Sequence, residues 1–213
     1  MAKKTTAVEV PSIDSHIMWR VSVGSHHDPH SILGAHLVSG GVVIRTLKPL
    51  AVSVTANLEG GVALELSHLE NGIWQGTISG TKIPDYRISA TYEDGNVWET
   101  DDPYHYAPTL GDLDLHLIAE GRHEELWQAL GSRVIEMKTK LGKSAGTKFA
   151  VWAPNAQAVR VVGDFNHWNG TGHSMRVMGS SGVWELFIPG IGVGTKYKYE
   201  ILTKGGNWIT KID

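Results

Sequence analysis

The sequence contains no cysteine among its 213 residues, so disulfides, thiolate metal sites and cysteine nucleophiles are excluded. It also lacks a block of basic residues, because 19 Lys and Arg are scattered among 22 Asp and Glu and the formal net charge is −3. Binding dominated by the nucleic-acid backbone requires a concentrated positive surface. We therefore expect no nucleic-acid partner.

Long apolar runs are missing as well. No stretch approaches the ~18 consecutive apolar residues that a membrane helix requires, and the N-terminus leads into no apolar segment typical of a signal peptide. The sequence therefore predicts no membrane partner, and the cytoplasm is the expected location.

Short apolar runs and many glycines are present instead, with 25 glycines and a hydrophobic content of 41%. The first block of alternating or β-branched runs contains turn signals at Asn71-Gly72 and Asp94-Gly95. Six short strands with regular breaks are typical of a β-sandwich. The predicted strands of this block are 42–47, 52–56, 62–69, 73–78, 86–92 and 97–100.

A second block has the same character, and in it Lys198 lies on the strand face opposite Tyr197, Tyr199 and Ile201. Its predicted strands are 147–152, 158–163, 175–178, 183–188, 196–202 and 207–211.

The segment between the blocks changes its periodicity. Leu113, Leu115 and Leu117 alternate as in a short strand, whereas after Gly121 the spacing is helical. Leu126, Trp127 and Leu130 share one face of that helix, which we expect to be buried, and Gly131 is a suitable C-cap. Residues 138–146 are expected to form a loop or an exposed hairpin.

These patterns predict an all-β fold of two immunoglobulin-like β-sandwiches in tandem, joined by a short helical linker. Pro11, Ser12 and Asp14 argue against a long helix near the N-terminus. The predicted divisions are a tail and approach segment at 1–27, the first sandwich at 28–108, the linker at 109–146 and the second sandwich at 147–213.

The two blocks also repeat a motif. Asn71-Gly72-Ile73-Trp74 parallels Ser181-Gly182-Val183-Trp184, and Leu47-Lys48-Pro49 parallels Trp152-Ala153-Pro154. In both blocks 24 positions separate the motif tryptophan from the next one, Trp98 or Trp208. From proline to motif tryptophan, however, the second block is five residues longer. We assign the additional residues to a loop around 165–173.

Four histidines, His26, His27, His30 and His36, lie close to Asp28 and could indicate a zinc or iron site. Such a site at His26, His27 and His30 would support a metal-dependent hydrolase. Pro29 and Gly34 make this backbone irregular, however, and no helical pair brings the ligands together. We therefore expect Asp28 to stabilise a turn, and we expect no metal and no cofactor.

The loop that begins at Gly163 places Trp168 beside Asn166, His167 and Asn169. An aromatic ring flanked by amides suits a sugar, although it would also suit a nucleobase or a partner loop. Trp74, Trp152 and Trp184 lie within strand runs and are expected in the core, whereas Trp19 and Trp98 remain undecided.

Several motifs in order resemble the N-terminal region of bacterial 1,4-α-glucan (glycogen) branching enzymes. The resemblance covers most of the chain from about residue 26, and the second block resembles carbohydrate-binding module family 48. The motifs are Asp28-Pro29-His30-Ser31-Ile32-Leu33-Gly34-Ala35-His36, Gly111-Asp112-Leu113-Asp114-Leu115-His116-Leu117, Phe149-Ala150-Val151-Trp152-Ala153-Pro154, Val161-Val162-Gly163-Asp164-Phe165-Asn166-His167-Trp168 and Gly182-Val183-Trp184-Glu185.

The resemblance implies a site for an α-1,4-glucan such as glycogen or a maltooligosaccharide. It assigns the aromatic platform to Trp168 and Trp208 and a hydroxyl-binding cation to Lys198, while Asn166 either binds sugar or caps the turn. A purely structural module without sugar affinity is the alternative.

The resemblance also implies a downstream barrel of glycoside hydrolase family 13 that transfers α-1,4 chains to α-1,6 branch points. Both sandwiches and the linker use nearly all of this chain, and a barrel requires ~250 residues. Trp98 is followed by Asp102-Pro103-Tyr104, whereas Trp208 is followed only by residues up to Asp213. We therefore expect the chain to be cut at a domain edge and to lack catalytic activity of its own.

Overall fold

The N-terminal approach segment contains a short helix. The structure, a computed structural model, describes residues 7–213, so the first six residues of the predicted tail lie outside the described part. Helix α1 (Ser15–Ser22) begins after Asp14, whose carboxylate accepts hydrogen bonds from the backbone N–H of His16 and Ile17. The eight-residue helix agrees with the expectation that no long helix forms here.

The first sandwich confirms all six predicted strands and adds one that was missed. The additional strand β1 lies in the histidine-rich segment that was expected to be irregular. The strands are β1 (Gly34–Val38), β2 (Gly41–Leu47), β3 (Ala51–Leu58), β4 (Val62–His68), β5 (Ile73–Ser79), β6 (Tyr86–Tyr92) and β7 (Val97–Asp101).

These strands form an antiparallel sheet in the order β1-β2-β5-β4-β3-β6-β7. Strand β4 pairs with β3 over five residue pairs but with β5 only at Ser67 and His68, so the sheet folds over at β4. Its two layers enclose a core to which β2 contributes Ile44, β3 contributes Val54 and β6 contributes Ile88.

The linker differs from its prediction. Residues 112–119 form helix α2 (Asp112–Ala119), not the predicted strand. Asp112 and Asp114 occupy its first turn, where the helix dipole favours acidic side chains, and Leu115 and Ile118 pack on a small core. The alternation of leucines was thus misleading, because the contacts follow the i, i+3 spacing of a helix.

The helix predicted after Gly121 is shorter than expected, since α3 (Leu126–Ala129) has a single turn. Leu126 and Trp127 are exposed, Trp127 to 69%, so the prediction of a buried face is wrong for these two residues. Leu130 of the predicted face is half-buried and packs on a small core, into which the single turn itself places Ala129. Leu130, not Gly131, is the C-cap, and Gly131 follows it at φ 83°.

The second sandwich begins with a hairpin inside the segment predicted as linker. Strand β8 starts at Gly131 and pairs with β9 over its whole length, so of the two alternatives for residues 138–146 the hairpin is confirmed. The strands are β8 (Gly131–Thr139), β9 (Gly142–Trp152), β10 (Ala158–Gly163), β11 (Arg176–Val177), β12 (Val183–Pro189), β13 (Tyr197–Leu202) and β14 (Trp208–Lys211).

Two sheets, β11-β12-β9-β8 and β10-β13-β14, make up this second unit, and the fold of the chain is all-β as predicted. Within residues 7–213 no helix has the length and hydropathy needed to cross a bilayer.

The repeated motif forms the same hydrogen bonds in both sandwiches. The indole N–H of Trp74 donates to the carbonyl of Lys48 at 3.2 Å, and that of Trp184 donates to the carbonyl of Ala153 at 3.0 Å. Both tryptophans are buried, as predicted. Trp152, in contrast, is 56% exposed, so its assignment to the core is wrong. It ends β9 and points away from the side on which its neighbour Val151 packs.

The core of the second sandwich extends into the N-terminal half of the chain. Phe149 and Tyr199 share one cluster of buried side chains with Met18 of α1, with Leu47 of β2 and with Tyr104, which follows β7. The hydroxyl of Tyr104 also accepts a hydrogen bond from the backbone N–H of Ser174. The two sandwiches and α1 are therefore packed into one body.

A buried ion pair fixes the linker to the second sandwich. Glu185 of β12 has no exposed surface, and Arg176 of β11 donates two hydrogen bonds to its Oε1 at 2.6 and 3.0 Å. The backbone N–H groups of Thr109 and Leu110 and the Thr109 hydroxyl donate to its other oxygen. Hydrogen bonds from protein donors thus replace the water around this carboxylate, as a buried charge requires.

We expect Arg176→Met to lower the free energy of unfolding by about 3–5 kcal/mol, because it leaves the buried carboxylate of Glu185 without its counter-charge. Lys143→Met is the matched control, since Lys143 pairs with Glu136 on the surface and such pairs contribute at most about 1 kcal/mol. Urea unfolding followed by circular dichroism measures both. Equal losses in the two variants would contradict the assigned role of the buried pair.

Candidate functional site

The loop after β10 is held together by Asn166. Its side-chain oxygen accepts a hydrogen bond from the N–H of Gly163 at 2.9 Å, and its amide nitrogen donates to the carbonyl of Val161 at 2.9 Å. The same nitrogen lies 3.2 Å from Nδ1 of His173. With these contacts Asn166 caps the turn, which is one of the two roles expected for it.

The same loop turns Trp168 outward. His167 and Trp168 both adopt left-handed backbone conformations, with φ of 52° and 60°, and the N–H of Trp168 donates to the carbonyl of Gly163. Left-handed backbone is uncommon for residues other than glycine and costs of order 1 kcal/mol per residue. Phe165 packs inward near Phe149, whereas Trp168 is 45% exposed.

Lys198 lies next to this ring. It pairs with Val162 across β10 and β13, and the alternation of the strand directs Tyr197 and Tyr199 to the core and Lys198 outward, as predicted. Its Nζ lies 5.8 Å from the centroid of the Trp168 ring, within the range of a cation–π contact. The predicted pair of an aromatic platform and a cation is therefore adjacent in space.

Trp208 lies at the other end of the same sheet face. It pairs with Leu202 beyond a turn in which Gly206 takes a φ of 81°, a conformation that glycine adopts readily. The guanidinium carbon of Arg160 lies 3.9 Å from the centroid of the Trp208 ring. One face of this indole is thus already covered by a cation.

Arg160 was not foreseen as part of the site. Its Nε donates to Glu200 at 2.6 Å, and Lys198, Glu200 and Leu202 lie on one face of β13. The four residue steps along the strand from Lys198 to Leu202 span ~13 Å. The face therefore carries one tryptophan near each end and an ion pair between them. The sequence around Arg160 does not predict its contact with Trp208, because that contact depends on the register of the paired strands.

The histidines predicted as possible metal ligands pack against other rings instead of converging on one point. The rings of His26 and His27 stack at 4.8 Å, and His30 contacts Tyr104 edge-on at 5.0 Å. Burial and the positive charge of Arg176 lower the pKa of His30 to about 2. Among residues 7–213 no group of three or more His, Asp or Glu side chains is placed to hold a metal ion.

His173 supports the loop that carries Trp168. Burial, and to a lesser extent the charge of Lys48, lower the pKa of His173 to about 4. In the neutral ring Nδ1 accepts a hydrogen bond from Asn166, whereas a protonated ring would lose that bond. The geometry of the loop therefore depends on a neutral His173.

Comparison with known proteins assigns both halves of the chain. Residues 14–104 match the family model described as alpha-1,4-glucan branching enzyme GlgB, N-terminal domain, and residues 129–213 match carbohydrate-binding module 48 (isoamylase N-terminal domain). The chain therefore consists of a branching-enzyme N-terminal module followed by a carbohydrate-binding module of family 48. It belongs, with both modules in this order, to the N-terminal region of the 1,4-alpha-glucan branching enzyme GlgB family.

The relatives in this family are considerably longer than this chain. A 1,4-alpha-glucan branching enzyme GlgB of Leifsonia xyli subsp. xyli is 55% identical over 97% of this chain and 28% of its own length. Those of Thermobifida fusca and Streptomyces coelicolor (GlgB 2) are 56% and 51% identical, over 80% and 95% of this chain and 23% and 27% of their own lengths. The chain thus spans about a quarter of these curated relatives.

We expect the free energy of unfolding to fall as the pH is lowered from about 6.5 towards 4. The folded state disfavours protonated His173, so between these values the unfolded chain binds more protons and is stabilised by up to about 3 kcal/mol. His173→Gln keeps a polar side chain without this titration and should show a shallower pH slope. Urea unfolding at pH 7, 6, 5 and 4 measures both slopes. Identical slopes would contradict this role of His173.

Proposed function

We propose that this chain binds α-1,4-glucans on the outer face of β10, β13 and β14, and that it positions them without catalysing a reaction itself. The observation that carries the proposal is the placement of Trp168 and Trp208 near the two ends of one sheet face, with Lys198 beside the first ring. Indole faces stack on the apolar faces of sugar rings, and an ammonium group donates hydrogen bonds to their hydroxyls.

The expected affinity is low. One indole face hides ~100 Å² of apolar area, or ~2.5 kcal/mol at about 25 cal/mol per Å². Two faces would give about 5 kcal/mol before the cost of association, which leads to binding near the millimolar range. Arg160 already covers one face of Trp208, so we expect Trp168 to contribute the larger share.

Binding of this strength is most useful when the module is tethered to another domain. The relatives devote roughly three quarters of their length to sequence outside the matched region, and in this proposal that part supplies a barrel that transfers α-1,4 chains to α-1,6 branch points. Tethering converts a weak contact into a high effective concentration of substrate. In this proposal Asn166 holds the loop that carries Trp168. Any contact that Asn166 makes with sugar follows from its place beside that ring.

A structural role is the second candidate, and a separate surface favours it. Exposed Leu126 and Trp152, together with Ile118 and Leu130, line a mostly apolar recess of about 230 Å³ beside α3. Such a recess suits packing against further protein, which would orient the sandwiches without any sugar affinity. This surface does not include Trp168, so the two functions can be tested separately.

We expect Trp168→Ala combined with Trp208→Ala to weaken binding of maltoheptaose at least tenfold, because both stacking surfaces are lost. Lys198→Met should weaken it about threefold, which corresponds to one modest hydrogen bond. Titration followed by NMR, and mobility in gels containing glycogen, measure these changes.

Trp98→Ala is the matched control, because Trp98 is an exposed tryptophan of the first sandwich, on β7, and its loss should leave binding unchanged. If the double variant bound as the parent does, the site would be wrong. If the parent itself gave a flat titration at millimolar maltoheptaose, the structural role would stand instead.

A further inference from the structure

A groove of about 710 Å³ runs between α1 and the β13–β14 hairpin. Trp208 forms part of its wall on the hairpin side, and Trp19, which is 50% exposed, forms part of its wall on the helix side. His16, Arg20, His27 and Gln157 supply polar groups around these two indoles. The groove therefore combines aromatic surface with hydrogen-bonding side chains.

Helix α1 is fixed firmly enough for Trp19 to serve as part of a site. Its inner side places Met18 and Val21 in the core that it shares with the second sandwich. At its C-terminal end Gly24 has a φ of 68°, and a Cβ there would lie 3.1 Å from the Cα of Thr171. Only glycine allows this close approach of the helix end to the loop that carries Trp168.

Arg160 joins the helix to the sugar-binding face proposed above. Its guanidinium covers Trp208, pairs with Glu200 and donates a hydrogen bond to the carbonyl of Val23, just after α1, at 3.1 Å. The groove is thus continuous with the face between Trp168 and Trp208, and Trp208 belongs to both.

Resting on the proposed function, we propose that α1 extends the glucan site, with Trp19 as an additional stacking surface for longer α-1,4-glucan chains. The composition of the groove favours a neutral sugar over charged ligands. Among residues 7–213 no carboxylate lines the groove, and Arg20, the only Lys or Arg of that part of the chain to line it, already donates to the carbonyl of Ser25 at 2.7 Å. The ring of Trp19 is also held by stacking on His16 at 5.7 Å.

The site is then composite. Trp168, Lys198 and Trp208 come from residues 129–213, which match the carbohydrate-binding module, whereas Trp19 comes from residues 14–104, which match the GlgB N-terminal domain. Preference for longer chains would therefore be a property of the two modules together, and a module without α1 would lack it.

The test is the dependence of affinity on chain length. We expect Trp19→Ala to weaken binding of maltodecaose three- to tenfold while leaving maltotriose binding unchanged, and Trp19→Phe to restore most of the loss. Trp98→Ala is again the control. In the parent, the indole N–H resonance of Trp19 should shift with maltodecaose but not with maltotriose, which gives a readout that does not depend on a variant.

If Trp19→Ala binds maltodecaose as the parent does while Trp168→Ala and Lys198→Met bind it more weakly, the extension is wrong and the proposed function stands. If none of these variants changes binding, both proposals fail. If Trp19→Ala weakens maltotriose as strongly as maltodecaose, the groove is not an extension for longer chains and the inference is overturned. A Trp19 resonance that shifts with neither sugar would also overturn it.

Discussion

Glu185 lies inside the protein with no exposed surface, and its hydrogen bonds come from two different parts of the chain. Arg176 reaches it from the adjacent strand, while Thr109 and Leu110 reach it from the linker that leaves the first sandwich. A charge in this position is tolerated only if all of these donors are present together. The path of the linker and the register of β11 on β12 are therefore set by one carboxylate.

The consequences extend to the surface. With the linker held in place, Tyr104 enters the shared core and accepts a hydrogen bond from Ser174, close to the loop that carries Trp168. The same core holds Met18, and so it holds α1 against the second sandwich. The outward positions of Trp19 and Trp168 thus depend on buried contacts between the two halves, because packed cores transmit constraints over their full extent.

The sequence was informative wherever local signals agreed. Alternating apolar residues and turn glycines located most strands of both sandwiches, and the motif repeat set Trp74 parallel to Trp184, whose indoles form matching hydrogen bonds. One prediction failed because the spacing of the leucines in α2 is compatible with a strand as well as with a helix. Another failed because Trp152 lies at the end of its strand, where the sequence does not show whether the side chain is buried. Local propensity cannot decide such cases, because tertiary packing does.

Neither the contact of Arg160 with Trp208 nor the groove that Trp208 shares with Trp19 has a local signal. Both depend on which residues face each other across β10, β13 and β14 and on where a helix from the other end of the chain docks. Arg160 is the residue on which these relations converge, since it contacts Glu200, Trp208 and the carbonyl of Val23. Its guanidinium, held at several points, loses less freedom for each additional contact than a mobile side chain would. It therefore fixes the spacing between the helix and the sheet face, and in the proposed binding mode that spacing determines whether one glucan chain can contact both.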